Sequence, residues 1–388
     1  MNGFNLFKQK TKKLICHVGA WAGNFGDSII QQSIKNRLTE LSKNELDFCY
    51  INCQQTEFTR ERIEQINSKC DLMIIGGGGL VFYRPQDKSK SGWQWNIDIN
   101  LINAIKIPFV VYGIGYNQFE YDTSNFIPIT NSHLQKTVNN AALFSVRNSG
   151  TRRELITRGC DGSKIEVVSD SGMFATPKKI TIPDIDKTKL KIGFNWTSDR
   201  EDQTFPPPFK ENRDKFIKAC ISLLNYAIVE RNAQVFYISH MGNNFDRNII
   251  VALKEKLISS PIVIEDVLSE IYPPSDGNAG FFVDIYRQMD IVLGMRGHSN
   301  IVSLGQNTPF VGLGSHRKIR YFLEDVGRSK YFFDVRPGKD LYSTEKMISI
   351  LNNIIDNISS QRKTIKEEKE KHKRLFNKFN SKILSLMD

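Results

Sequence analysis

An α/β protein of two doubly wound, Rossmann-like units facing a central cleft is the architecture this chain predicts. Three observations carry the expectation. Short runs rich in Ile and Val alternate with amphipathic helical stretches through the first 175 residues, and strands that are apolar throughout are those of parallel sheets buried on both faces. Residues 176–189 then break the alternation with two prolines, several Lys and Asp and no periodic apolar face, which predicts a linker. Beyond it the alternation restarts, and 388 residues are enough for two domains that each bury a core.

In the first unit, residues 1–175, strands are expected at 13–18, 46–51, 71–75, 109–113, 143–146 and 165–168. Helices fall between them, at 27–41, 57–69, 131–142 and 149–158. The second unit, 190–342, has expected strands at 191–195, 235–239, 262–265, 290–293 and 310–313, with helices at 212–230, 247–258, 281–288 and 299–305. A helical extension, 343–388, closes the chain, with Leu375, Phe379, Ile383 and Leu386 on one face at helical spacing. That face predicts docking onto one of the domains, with a membrane-surface or oligomer contact as the alternative.

Hydrophobic content of 40% with 24% charged residues is that of a soluble globular protein. No apolar run approaches the roughly 20 residues that span a bilayer. The N-terminal stretch with Lys8, Lys10, Lys12 and Lys13 lacks the apolar core and small-residue cleavage site of a secretion signal. Six cysteines without a CxxC pair suit reduced thiols, so the expected location is the cytoplasm. The net charge of +11 implies an acidic partner, and residues 361–374 alone hold seven Lys or Arg against three Glu. That stretch is either a solvated helix face or a surface for an anionic membrane or a lipid-diphosphate substrate, which leaves peripheral contact at the inner membrane face open. Nucleic acid is disfavoured, because basic and aromatic residues do not interleave in the recognised ways.

Chemistry-bearing residues gather where strands end. The run 290–294 leads into Met295-Arg296-Gly297-His298-Ser299, so Arg296 and His298 fall on the turn into the next helix, where free N–H groups favour anions. Arg offers a planar two-pronged donor, and His can transfer a proton near neutral pH. In Gly23-Asn24-Phe25-Gly26-Asp27-Ser28, after the first strand, Asp27 or Ser28 can cap the helix, and the two glycines with Asn24 and Asp27 exceed what a turn needs. Gly76 to Gly79 follow the third strand as bare backbone facing a ligand, without the spacing of a Walker loop or a dinucleotide fingerprint. Arg147 and Asp170 also stand at strand ends, Lys318 begins a helix after Gly312-Leu313-Gly314-Ser315-His316, and His240 is a further strand-end histidine. The loop 81–96 carries Phe82, Tyr83, Arg84, Trp93 and Trp95; its tryptophans either stack on a sugar or belong to the core. The loop 197–212, with three consecutive prolines, either closes over the cleft or is a disordered surface excursion. No His/Asp/Cys cluster has metal-ligand spacing, so no metal or other cofactor is expected.

Six of these blocks, in order, resemble the polysaccharide pyruvyl transferase family: Gly23 to Asp27, Gly76 to Leu80, Ser145-Val146-Arg147, Asp170, Arg296-Gly297-His298, and the segment from Gly305 through Pro309 to Lys318. The resemblance spans roughly residues 13–327. It implies a GT-B-like fold of two Rossmann-like domains, and transfer of pyruvate from phosphoenolpyruvate to a sugar as a ketal during assembly of a cell-surface polysaccharide such as a capsule or exopolysaccharide. By position, Arg147, Arg296, His298 and Lys318 correspond to the family's donor-binding residues. His298, Arg296 and Asp170 are the expected catalytic set. Asn24, Asp27, Gly77, Gly78, Trp93, Trp95 and His240 are expected to meet the sugar or lipid-linked acceptor, with the first domain on the acceptor side and the second on the donor side. Asn148 stands where the family has Asp, which removes a carboxylate role there. A GT-B glycosyltransferase using a nucleotide sugar is the runner-up, and a sugar-binding scaffold a third reading.

Overall fold

The computed structural model describes residues 12–21, 23–54, 56–84, 86, 88–122, 125–336 and 343–388. Lys8, Lys10 and the rest of the first eleven residues of the expected first domain lie outside the described residues, as do 337–342 of the second. In chain order, the first lobe runs β1 (Lys12–Gly19), α1 (Phe25–Leu41), β2 (Glu45–Asn52), α2 (Arg60–Lys69), β3 (Leu72–Val81), β4 (Phe109–Tyr116), α3 (Ile129–Asn140), β5 (Leu143–Val146), α4 (Ser149–Thr157) and β6 (Ile165–Val167). These strands form one sheet in the order β2-β1-β3-β4-β5-β6, every pair parallel.

The second lobe repeats the plan with β7 (Leu190–Asn195), α5 (Glu201–Thr204), α6 (Phe209–Glu230), β8 (Ala233–Tyr237), α7 (Asn243–Lys256), β9 (Ile262–Val263), α8 (Ile264–Val267), α9 (Ala279–Gln288), β10 (Ile291–Gly294), α10 (Gly297–Gly305), β11 (Phe310–Gly314), α11 (Arg317–Asp325) and β12 (Phe332–Asp334). Its order is β12-β11-β10-β7-β8-β9, again parallel throughout. Each sheet thus reverses its winding once, between β1 and β3 in the first lobe and between β7 and β10 in the second. Doubly wound sheets bind ligands beyond the carboxyl ends of the strands at such reversals.

Several elements differ from expectation, among them the short helices α5 and α8, the second of which takes the end of the strand expected at 262–265. Gly76 to Gly79 continue β3 rather than ending it. They are glycines because neighbours press on the strand: a Cβ at Gly76 would lie 2.2 Å from the Tyr112 carbonyl oxygen on β4, and one at Gly77 would lie 3.0 Å from Ile30 on α1. Strand β12 is additional to the expected set, since three residues carry too short a pattern to read. The C-terminal stretch is two helices, α12 (Thr344–Asp356) and α13 (Ile358–Ser385), meeting at Asn357.

Helix α12 buries Met347, Leu351 and Ile354 in the second lobe's core with Ile192, Leu224 and Val235. Helix α13 begins on the same lobe, where Arg362 pairs with Asp290 at 2.9 Å and Ile365 is buried beside Val302 and Leu323. It ends on the first lobe, packing Phe376, Phe379, Ile383 and Met387 against Ile15, Leu72, Val110 and Tyr112. The buried face is therefore turned slightly from the expected one: Leu375 is 51% exposed, and Phe376 takes its place. Among the described residues no helix is long and apolar enough to cross a membrane.

Candidate active site

The lobes interlock at the amino end of α1. Asn24 caps this helix, its Oδ1 accepting the Gly26 N–H at 2.8 Å, which relieves Asp27 and Ser28 of the capping role expected for them. The next residue, Phe25, crosses into the second lobe: its N–H donates to the His240 carbonyl at 3.1 Å, and its ring stacks on Phe282 at 3.8 Å. This contact brings the two winding reversals together around one cavity of about 250 Å³.

Arg147, Arg296, His298 and Lys318 all line that cavity, with Asn24, Asp27 and His240. Asp170 lies directly behind it. Its Oδ2 accepts from Arg147 Nη1 at 3.1 Å and lies 3.4 Å from His298 Nε2 across the lobe boundary, near enough for charge attraction though not aligned as a hydrogen bond. Its Oδ1 accepts the Gly172 N–H at 3.0 Å. Burial alone would push the Asp170 carboxyl up, but His298 and the Arg147 guanidinium outweigh it and hold the group well below the usual carboxylate range. Two glycines make this approach possible. A Cβ at Gly26 would sit 2.0 Å from His298 Nδ1, and one at Gly115 would sit 2.1 Å from Arg147 Nε.

On the second lobe, the Asn195 side chain at the end of β7 accepts the Arg296 N–H at 2.9 Å, across the winding reversal. The Arg296 guanidinium pairs with Asp199 at 2.5 Å and keeps its buried Nε without a hydrogen-bond partner among the described residues. Arg147 Nη2 is likewise buried and unpartnered there. Lys318, in the first turn of α11, donates to Asn117 Oδ1 at 2.9 Å. Burial brings its ammonium down to about 7, and Arg147, Arg200 and Arg296 press the same way. In all, Arg84, Arg147, Arg200, Arg296 and Lys318 face the cavity, against the carboxyls of Asp27 and Asp199. Such a surplus of fixed donors is built for an anion carrying more than one charge.

Several expected site residues are placed otherwise. Trp93 and Trp95 are fully buried in the first lobe's core; Trp93 Nε1 donates to His133 Nδ1 at 2.9 Å, and Trp95 packs on Phe58 and Phe109. They fill the space between β4 and α3 and cannot stack on an acceptor. From the same loop, Phe82 and Arg84 reach the cavity instead. The cavity wall of β3 is Gly79 and Leu80 rather than Gly77 and Gly78. His240 meets the cavity but is held by the Tyr286 hydroxyl at 2.6 Å, and burial drives its pKa well down, so it stays neutral. Asn148 caps α4, accepting the Thr151 N–H at 2.7 Å. A neutral acceptor suffices there.

The loop after β7 is an ordered part of the wall. Thr197, Asp199, Arg200 and Thr204 line the cavity, and Phe205 is fully buried, so the loop is no disordered excursion. The Arg200 guanidinium lies over Phe82 at 5.4 Å and Phe119 at 5.3 Å, both on the first lobe. Sequence reasoning missed Asp199, Arg200, Asn117 and His316. The available signal was the Asp-Arg pair just past a strand end, the placement that exposed the other cations. Among the described residues, no group of His, Cys, Asp and Glu is arranged to hold a metal ion.

Comparison with known proteins adds the family. The model of the polysaccharide pyruvyl transferases matches residues 24–317, from the cap of α1 to the start of α11. The chain belongs to the polysaccharide pyruvyl transferase family. It is therefore a transferase of pyruvyl transfer in polysaccharide synthesis. Comparison with curated proteins finds no match. Among solved structures, the chain is similar to S. aureus MnaA with UDP, at 14% identity and a TM-score of 0.54, over 91% of this chain and 90% of that one. It is also similar to the UDP-GlcNAc 2-epimerases of Neisseria meningitidis bound to UDP-GlcNAc (10%, 0.54, 92% and 94%) and Methanocaldococcus jannaschii (12%, 0.54, 88% and 92%). At these identities the likeness is one of fold, the GT-B arrangement of two facing α/β lobes.

Proposed function

We propose that the cavity binds phosphoenolpyruvate and transfers its pyruvyl group, as a ketal, to two hydroxyls of a sugar acceptor. One observation carries the reading. Arg147 of the first lobe and His298 of the second converge on a single oxygen of Asp170, at 3.1 and 3.4 Å, beside Arg296 and Lys318. Phosphoenolpyruvate presents a carboxylate and a phosphate a few ångströms apart, and guanidinium groups match both geometrically.

In this scheme Arg147, Arg296 and Lys318 hold the two anionic ends. The first sugar hydroxyl adds to C2 while C3 gains a proton. The C2–O bond to phosphate then breaks, leaving an oxocarbenium-like centre that the second hydroxyl captures. His298, beside the Asp170 carboxylate, gives its proton to the departing phosphate oxygen and recovers one from a hydroxyl. The two hydroxyl protons thus balance those gained by C3 and phosphate. Asn24, Asp27 and Gly79 edge the acceptor's side.

Incubation with phosphoenolpyruvate and a panel of sugar acceptors, including lipid- and nucleotide-linked ones, should release inorganic phosphate. Arg296→Ala and His298→Ala should each lower that release by about 10²–10⁴-fold with the far-UV circular dichroism unchanged. Consumption of a nucleotide sugar with release of its diphosphate, and no use of phosphoenolpyruvate, would overturn the reading.

A further inference from the structure

Resting on that reading, we infer that Asp27 is the acid that protonates C3 of the donor and then takes the proton of the second attacking hydroxyl. The side chain has no structural duty to explain its place. Asn24 supplies the cap of α1, and among the described residues the Asp27 carboxyl makes no hydrogen bond or ion pair. Yet it lines the cavity that holds Arg147, His298 and Lys318. A carboxyl kept at a ligand-sized cavity without a structural partner is available for substrate.

Its surroundings suit proton transfer to carbon. Gly26, the preceding residue, abuts the imidazole of His298, and Gly79 of β3 lines the cavity wall with Asp27, so the carboxyl shares the cavity with the imidazole and with bare strand backbone. The charged and titratable groups acting on it are His298 from α10, Lys318 from α11, Arg147 after β5, Asp170 after β6 and Cys53 after β2. Burial raises the Asp27 carboxyl above its ordinary value and Asp170 adds to the rise, while the cations oppose it. Asp27 at the cavity and Asp170 behind it are thus driven apart, one towards the acid form and one firmly ionised, the pattern that separates an acid from an electrostatic partner. Once its proton has gone, the Asp27 carboxylate meets the positive end of α1, which eases its formation.

The bond changes balance. The Asp27 O–H breaks as a C3–H bond forms and the first acceptor oxygen bonds to C2, with the C2=C3 pair becoming the new C–H bond. The carboxylate then accepts the proton of the second hydroxyl as that oxygen closes the ketal and restores the acid. His298 gives its proton to the departing phosphate oxygen and is restored by the proton of the first hydroxyl, so the two hydroxyl protons replace the two that the acids give up.

The test uses the full chain with phosphoenolpyruvate, its acceptor and D₂O, reading phosphate release and deuterium entry into the pyruvyl methyl group. Asp27→Asn should lower both by about 10²–10⁴-fold, while the dissociation constant for phosphoenolpyruvate, measured by calorimetry, moves less than about threefold. Asp27→Glu, which keeps the acid but displaces it, should retain that binding, lose at least about tenfold in rate and shift the alkaline limb of the pH profile. Asp27→Asn turnover within about tenfold of wild type, or a loss confined to donor binding, would overturn the assignment. Should Asp27→Asn not fold, an Asp27→Glu rate and profile equal to wild type would do the same. A wild-type protein that releases no phosphate from phosphoenolpyruvate with any acceptor would instead fail the donor reading itself.

Discussion

At the scale of single residues, the site depends on charge held out of water. Lys318 shows the consequence for pH. Its ammonium is brought down to about 7, so it is charged below that value and neutral above it. A phosphate dianion binds the charged form. The Lys318 contribution to phosphoenolpyruvate affinity should therefore be full below about pH 7 and fall as pH rises through it, and binding near neutral pH should take up protons, which calorimetry in buffers of different ionisation enthalpy will register. Lys318→Arg, which stays charged across this range, should flatten the dependence. Much of this chemistry is legible in the sequence. Arg147, Asp170, Arg296 and His298 each come just after a short apolar run, and a parallel strand delivers the residues at its carboxyl end to the ligand edge. Arg200 carries a weaker form of the same signal, because its run ends at Asn195 and four residues separate the two. Trp93 and Trp95 are misplaced for a different reason. Loop membership says where the backbone runs, and only the packing of β4 and α3 decides whether an indole faces solvent or core.

Among the elements, the alternation of apolar runs identifies eleven of the twelve strands, since a buried parallel strand cannot hide its composition. Breaks and faces are harder. Nothing in residues 343–388 marks Asn357 as the point where one helix ends, and a rotation of one residue about the axis decides which apolar side chains are buried. Leu375 and Phe379 therefore make a direct test of α13. Phe379 is fully buried and meets the Tyr112 ring edge-on at 5.4 Å, so Phe379→Ala should destabilise the protein by about 3–5 kcal/mol in chemical denaturation. Leu375→Ala should change stability by no more than about 0.5 kcal/mol. Part of the basic stretch on this helix is engaged internally: Arg362 reaches Asp290, and Lys369 donates to the Gly305 carbonyl.

For the molecule as a whole, the informative property is that neither lobe holds the cavity's cations alone. A doubly anionic ligand that draws on both should stabilise the closed pair. Phosphoenolpyruvate at about 100 times its dissociation constant is expected to add about 2.7 kcal/mol, read as a rise in melting temperature, and the double variant Arg147→Ala/Arg296→Ala should abolish that rise while melting cooperatively. The two-sheet plan is readable from the two series of apolar runs, but the way the lobes lock is not, because the Phe25 to Phe282 contact joins residues far apart in the chain. Helix α13 adds a mechanical constraint to that lock. Its 28 residues make a rod roughly 42 Å long at the usual rise, riveted near Ile365 to one lobe and near Phe379 to the other. Sliding the halves along the rod would tear out one rivet. Swinging them across it, like covers about a spine, would leave both rivets seated, and would part the polar pairs that join α4 to α11, such as Arg153 with Glu324 and Tyr321 with Glu154.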